Sequence, residues 1–223
     1  MSDITIVSCN FNTKLFSEVM VKSIKKFSSE PHKLIILDNS MKRELYTNDD
    51  YEVVTNLRSH SHGYGLDFLV GLVETKYTLV LDIDTHILRK GFDIELTKMM
   101  ERDERVGLVA GGRSAAKSVH PGILFFRTEM IKEHEIFFHA VKFMHPELQG
   151  HAFDVGNFAP LKLSYQKLKT VLLKRTAPVY DDTRGDTWNI GDKSTFYHFG
   201  YSRLNTPEII KLRDNMFNQI EWV

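Results

Sequence analysis

Residues 77–86, YTLVLDIDTH, carry an apolar, β-branched run that delivers two carboxylates, Asp82 and Asp84, to its end with one residue between them. Thr78, Leu79, Val80 and Leu81 form the short continuous run that a buried strand uses. Side chains alternate along a strand, so Asp82 and Asp84 share one side at its carboxyl end while Ile83 turns back into the core. In open α/β sheets ligands bind outside the carboxyl ends of the strands, where this pair emerges. Two unpaired carboxylates so close repel, and a hard cation such as Mg²⁺ or Mn²⁺ relieves the repulsion. The pair is equally compatible with one Asp capping the next helix and the other lying in a solvated turn, because Asp-x-Asp alone is a short motif.

Outward from this strand the chain alternates strands and helices. Residues 4–8 read as a strand, and residues 13–27 as a helix with Phe16, Met20, Ile24 and Phe27 at helical spacing. Residues 33–37 form another apolar run, which ends in the turn cluster Asp38-Asn39-Ser40. Residues 51–55 make a short strand, and residues 65–74 a helix with Leu66, Leu69, Val70 and Val73 on its apolar side. This βαβ order implies an α/β fold with a mainly parallel sheet flanked by helices. After Gly91 a helix is expected over 93–102, a strand over 106–110, a break at Gly111-Gly112 and a strand over 122–127. Residues 136–154 and 176–195, with scattered His, Asp, Gly and Pro, read as long functional loops. A last helix begins after Thr206 as N-cap, with Pro207 at its first position.

At 223 residues the chain can bury one sizeable core, and a single domain over 1–223 is the expectation. Lys plus Arg (29) balances Asp plus Glu (29), so no global field recruits nucleic acid or an anionic membrane, and a charged ligand must be held locally. The single cysteine, Cys9, excludes an internal disulfide framework and a cysteine-based zinc site; at the end of an apolar strand it reads as a small buried hydrophobe. The opening MSDITIVSC lacks a basic region followed by a long apolar run, and no segment approaches a membrane span, which points to the cytoplasm. Between 161 and 175, Lys162, Lys167, Lys169, Lys174 and Arg175 occur without an acid, as on a solvated helix face or on a surface that meets an anionic acceptor or lipid.

Together these segments resemble the GT-A glycosyltransferases, especially the inverting family 2 of nucleotide-sugar-dependent enzymes. ITIVSCNFN (4–12) looks like the family's opening strand with its Asn-containing turn, and LIILDNS (34–40) like its second strand with the base-reading acid. SHGYGLDFLVGL (61–72) resembles the glycine-containing loop and helix before the Asp-x-Asp strand, although His60 and His62 stand where Asn is usual. GILFFRTEM (122–130) looks like the strand that shapes the acceptor side, FDVG (153–156) falls at the family's catalytic acid with Phe153 in place of the usual Glu, and TFYHFGYS (195–202) resembles the closing strand with its metal-bound histidine.

The resemblance implies a nucleotide-sugar half over 1–90 and an acceptor half over 91–223. It makes Asp82, Asp84 and His198 the ligands of Mn²⁺ or Mg²⁺, and Asn10, Asp38, Asn39, Gly63, Asp82 and Arg203 the residues that bind the donor. Asp154 becomes the general base that takes the acceptor hydroxyl's proton. YDDTRGDT (180–187) becomes a lid or an ordinary loop. The implied reaction is inverting transfer of a hexosyl group from a nucleotide diphosphate sugar, UDP-hexose foremost, to a hydroxyl of a glycan or glycosylated acceptor. Other readings are a haloacid-dehalogenase-type phosphatase, whose acid pair usually ends the first strand; a sugar-nucleotide pyrophosphorylase, which needs a glycine-rich basic loop where this chain has VSCNFNTK; and a silent sugar- or nucleotide-binding module.

Overall fold

The apolar runs with polar ends become neighbouring strands of one sheet, because each run buries both faces and leaves its last residue at the rim. A computed structural model describes residues 2–55, 61–112, 119–142, 152–153, 155–180, 185–200 and 206–220. The first half contains β1 (Ile4–Asn10), α1 (Lys14–Phe27), β2 (Lys33–Asp38), β3 (Glu52–Thr55), α2 (His62–Leu72), β4 (Tyr77–Leu81) and β5 (Thr85–Ile87). The second contains α3 (Phe92–Glu101), β6 (Val106–Gly112), β7 (Val119–Arg127), α4 (Thr128–Glu133), β8 (Val141–Lys142), β9 (Ala152–Phe153) and α5 (Phe158–Tyr165). The chain closes with β10 (Lys169–Thr176), β11 (Asp186–Ile190), β12 (Lys193–His198) and α6 (Pro207–Gln219).

Among the described residues ten strands form one sheet in the order β3-β2-β1-β4-β7-β6-β10-β11-β12-β5, and β8 pairs with β9 apart from it. The expected parallel pairing holds from β3 through β4. Beyond β4 only β10 and β6 run parallel, so the sheet is mixed rather than mainly parallel. Alternation sends Ile6, Leu34, Ile36 and Leu79 to one face, under Met20 and Ile24 of α1 and Leu96 and Met100 of α3. Val7, Ile35, Leu37 and Val80 go to the other, under Leu66 and Leu69 of α2 and Leu163 of α5. A third cluster seats Ile209 and Met216 of α6 against Phe16, Tyr197 and Phe199. Thr206 caps α6 as expected, its Oγ1 accepting from Ile209 N at 3.4 Å. Among the described residues no helix is long and apolar enough to cross a membrane.

Several expectations are corrected. Residues 176–195 are not one long loop, since β11 and β12 form an antiparallel hairpin. Its two-residue turn is Gly191-Asp192, with Gly191 at φ +61°, a conformation that glycine adopts without strain. At Gly111-Gly112 β6 continues but its register against β7 shifts after Ala110, and Trp188 packs close, 2.7 Å from where a Gly111 Cβ would stand, with its Nε1 donating to Gly112 O at 3.1 Å. The basic stretch is not one helix face. Lys162 lies on α5 while Lys169, Lys174 and Arg175 lie on β10, where Lys169 pairs with Asp103 at 2.6 Å and Arg175 pairs with Asp186.

Candidate metal and nucleotide site

β4 ends at Leu81, so Asp82 and Asp84 stand on a tight turn, closed by Thr85 N donating to Asp82 O at 2.8 Å, rather than on the strand itself. The outcome expected from strand alternation is still met. Ile83 is buried in the core, and both carboxylates face the His198 ring, whose Nε2 lies 3.4 Å from Asp82 Oδ2 and 3.2 Å from Asp84 Oδ1. On the other side of Asp82, His62 at the start of α2 brings Nε2 to 3.2 Å from Oδ1.

The antiparallel register of β4 against β7 sets Gly122 beside this turn, where its carbonyl accepts from Asp82 N at 3.2 Å and from Thr85 Oγ1 at 3.0 Å. His120, also on β7, stacks edge-on against His198 with ring centroids 4.6 Å apart. Asp82, His120 and His198 can each offer an atom such that all three atoms lie within 4.8 Å of one another; Asp84 is outside that set. Asp84 instead holds the segment that carries His198, its Oδ2 accepting from Gly200 N at 3.1 Å and its carbonyl from Phe199 N at 3.1 Å.

His198 Nδ1 is buried without a hydrogen-bond partner among the described residues, and the buried Asp82 Oδ1 has His62 Nε2 as its polar contact. Burial alone would raise the Asp82 pKa, but His62 and His198 hold it well below the ordinary carboxylate value. Burial would lower His198, yet Asp84 and Asp82 raise it to about 10, so at neutral pH an imidazolium answers the two carboxylates.

At the end of β2 the arrangement is different. Asp38 is 4% exposed, and both of its oxygens are engaged. Oδ1 accepts from Asn10 Nδ2 at 3.1 Å and Ser40 N at 3.2 Å; Oδ2 accepts from Glu44 N at 2.7 Å and Leu45 N at 2.9 Å. Burial raises its pKa, but the bonds from Leu45, Ser40, Glu44 and Asn10 outweigh it and leave the group below its ordinary value. Asn10 is likewise committed, bonding Ser40 and Glu44 through Nδ2 and receiving Thr13 N and Oγ1 on Oδ1 at the head of α1. Asn39 is buried beside them, its N donating to Asn10 O at 2.9 Å.

Gly63 and Gly65 are buried in protein packing. A Cβ on Gly63 would lie 2.3 Å from His139 Cα, and one on Gly65 would lie 3.0 Å from both Cys9 Sγ and Leu37 Cδ2. The close approach they permit is between α2 and its neighbours. Asp154, Arg203, His60 and residues 181–184 of the expected lid lie outside the described residues. His86 faces Tyr180, with Nε2 2.8 Å from the hydroxyl, and burial pushes its pKa down to about 4 against the pull of Asp84. It lines a cavity of about 810 Å³ with Lys22, Phe27, Leu88 and Ile220, to which none of Asp82, His120 and His198 contributes.

No protein-family model matches the sequence, and neither does any curated protein. Solved structures do. The mannosyltransferase PcManGT from Pyrobaculum calidifontis, solved in complex with GDP-Man and Mn²⁺, superposes with a TM-score of 0.58 at 12% identity, over 76% of this chain and 54% of that one. This is the GT-A fold. TarS of S. aureus shares it at a TM-score of 0.56 and 12% identity, over 86% of this chain and 36% of TarS; its 1–349 fragment matches at 0.56 and 13%, over 59% of the fragment. This chain therefore spans about half the length of the mannosyltransferase and about a third of TarS. In the GT-A fold found here the acid pair follows the fourth strand rather than the first, unlike the phosphatase arrangement.

The sequence reading brought Asp82, Asp84 and His198 together, and the structure joins them. It left the role of His62 open and did not single out His120. The first contacts Asp82 from a helix start; the second arrives through a long-range strand register that no local pattern shows.

Proposed function

We propose that this protein is a metal-dependent glycosyltransferase that moves a hexosyl group, with inversion, from a nucleoside diphosphate sugar to a hydroxyl of a glycan or glycosylated acceptor. The carrying observation is Asp82: a largely buried carboxylate held between two imidazoles, with no backbone donor among the bonds described, at the carboxyl end of a central strand of a GT-A sheet. A carboxylate with an imidazole suits a divalent ion such as Mn²⁺, and the Asp82 carboxylate beside a His198 ring whose Nδ1 has no hydrogen-bond partner among the described residues fits such an ion. Asp82 and His198 would hold it, with Asp84 fixing His198 from behind through Gly200 and Phe199. When bound, the ion supplies Lewis acidity against the charge on the departing diphosphate.

The chain's own residues do the rest. Asp38 and Asn10 shape the 39–45 loop and the head of α1, which border the nucleoside position at the ends of β1 and β2. With all of its acceptor positions filled, Asp38 acts on the base through the loop it builds, and a direct bond to the base requires exchange of one present partner. Asn39 and Arg203 are assigned to the donor side by the resemblance alone, whereas Gly63 packs against His139. Asp154 follows β9 and takes the proton from the acceptor hydroxyl as that oxygen attacks the anomeric carbon opposite the diphosphate.

The resemblance favours a UDP-hexose, and the fold shared with a mannosyltransferase solved with GDP-Man makes a GDP-hexose the second reading. A thermal-shift panel of UDP-, GDP- and dTDP-hexoses with and without Mn²⁺ separates them. One nucleotide series should stabilise the protein only when Mn²⁺ is present; no metal-dependent shift with any of them contradicts the proposal. A β-linked product from an α-linked donor supports inversion, whereas retained configuration overturns it. Asp154→Asn should retain donor binding and lose transfer.

A further inference from the structure

His120 stands close enough to Asp82 and His198 to count as a third ligand by distance, yet its hydrogen bonding argues for a different part. Its Nδ1 lies 2.9 Å from the backbone N of Gly122, a group that can only donate. Nδ1 therefore supplies the lone pair, and in the neutral ring the proton sits on Nε2. A metal-bound histidine shows the reverse pattern: its lone pair goes to the ion, and its other nitrogen donates to a carbonyl, carboxylate or water.

The arrangement is built into the strand. Gly122 sets the His120 tautomer with its N–H and holds the Asp82 turn with its carbonyl, so one residue registers both side chains. Glycine is required there, since a Cβ would stand 2.8 Å from His120 Nδ1 and 3.2 Å from the Trp188 ring. Trp188 and His198 flank the His120 ring, with centroids 5.1 and 4.6 Å away, and limit its freedom to turn over.

We infer that His120 is a hydrogen-bond donor of this site and not a metal ligand, and that in the loaded protein its Nε2–H goes to a diphosphate oxygen of the nucleotide. The nucleotide part rests on the glycosyl-transfer reading above; the tautomer and the metal part do not. A ring N–H fixed by the peptide would share the charge of the diphosphate without competing for the ion.

Three measurements test this. In the metal-free, full-length protein, long-range ¹H–¹⁵N NMR of labelled histidines should show His120 protonated on Nε2 alone; a proton on Nδ1 overturns the inference, and needs no variant. In Mn²⁺ titrations followed by electron paramagnetic resonance, His120→Ala and His120→Gln should bind within about twofold of the unsubstituted protein, while His198→Ala weakens at least about tenfold. A larger loss in the His120 variants makes it a ligand and overturns the inference. At saturating Mn²⁺, His120→Ala should weaken binding of GDP or UDP about tenfold, and His120→Gln, whose amide still donates, should recover most of it. Equal nucleotide affinity in His120→Ala and the unsubstituted protein overturns the donor role. If the unsubstituted protein binds neither nucleotide, the glycosyl-transfer reading fails and the donor role to a diphosphate falls with it, while the NMR and Mn²⁺ results still decide whether His120 is a ligand.

Discussion

Asp38 closes β2 and Asp82 follows β4, the two strands that flank β1, yet their surroundings are opposite. Asp38 accepts three peptide N–H groups and one side-chain amide, which together fold residues 39–45 around it. Asp82 accepts no peptide N–H among the bonds described; its two oxygens meet two imidazoles instead. Both sit where α/β sheets bind ligands. What separates a carboxylate that builds from one that binds is the supply of backbone donors around it, not its place at a strand end. A fully served carboxylate stabilises a loop, whereas an under-served buried one invites a cation.

The comparison can be broken most decisively at Asp82. Asp82→Asn should reduce Mn²⁺-dependent transfer by at least about 10²-fold, because the charge that anchors the ion is gone. Any shift of its urea midpoint should follow the charge of His62 and His198, since no backbone bond depends on it. Asp38→Asn should show the converse: a loss of about 2–3 kcal/mol in urea unfolding, because an amide nitrogen cannot accept from Glu44 N and Leu45 N, and a smaller loss of transfer than Asp82→Asn. Equal stability losses in the two variants would erase the distinction.

A finer test uses the glycines of α2. Gly63→Ala should cost about 1–3 kcal/mol, because the new Cβ meets the backbone of His139 at 2.3 Å, and Gly65→Ala less, because Cys9 Sγ and Leu37 Cδ2 at 3.0 Å are side-chain atoms that can yield. If Gly63→Ala instead leaves stability intact and abolishes nucleotide binding, its freedom serves the ligand.

A further test is in pH. His198 has its folded pKa raised from 6.5 to about 10, so its contribution is complete below about pH 6.5 and is lost as pH rises toward 10. Asp38 is lowered from 3.8, so its contribution is present above that value and is lost as pH falls through the lower folded pKa. Metal-free unfolding curves should therefore flatten on the alkaline side in His198→Gln and on the acid side in Asp38→Asn. Unchanged slopes on both sides would remove the electrostatic part of the comparison.

Much of the first half of the chain was legible because its signals are local. Apolar runs with polar ends mark β1, β2 and β4, and the acid pair marks the site. The turn that carries Asp82 and Asp84 was not legible, since alternation and a tight turn deliver the same two carboxylates. The second half was harder. The hairpin of β11 and β12 had a signal in Ile190-Gly191-Asp192-Lys193, but the scattered polar residues around it read as loop. β5 is only three residues long, too short for a pattern. Gly63 and Gly65 announced close approach without saying to what. His120 and its tautomer depend on β7 lying antiparallel to β4, a pairing between residues some forty apart along the chain.

The most direct measurement is an equilibrium Mn²⁺ titration, by electron paramagnetic resonance, of the unsubstituted protein, Asp82→Asn and Asp38→Asn, each verified as folded. The unsubstituted protein and Asp38→Asn should bind one ion with similar affinity, and Asp82→Asn should bind at least about tenfold more weakly. Undiminished binding in Asp82→Asn, or an equal loss in both variants, would show that the carboxylate after β4 is not the metal site.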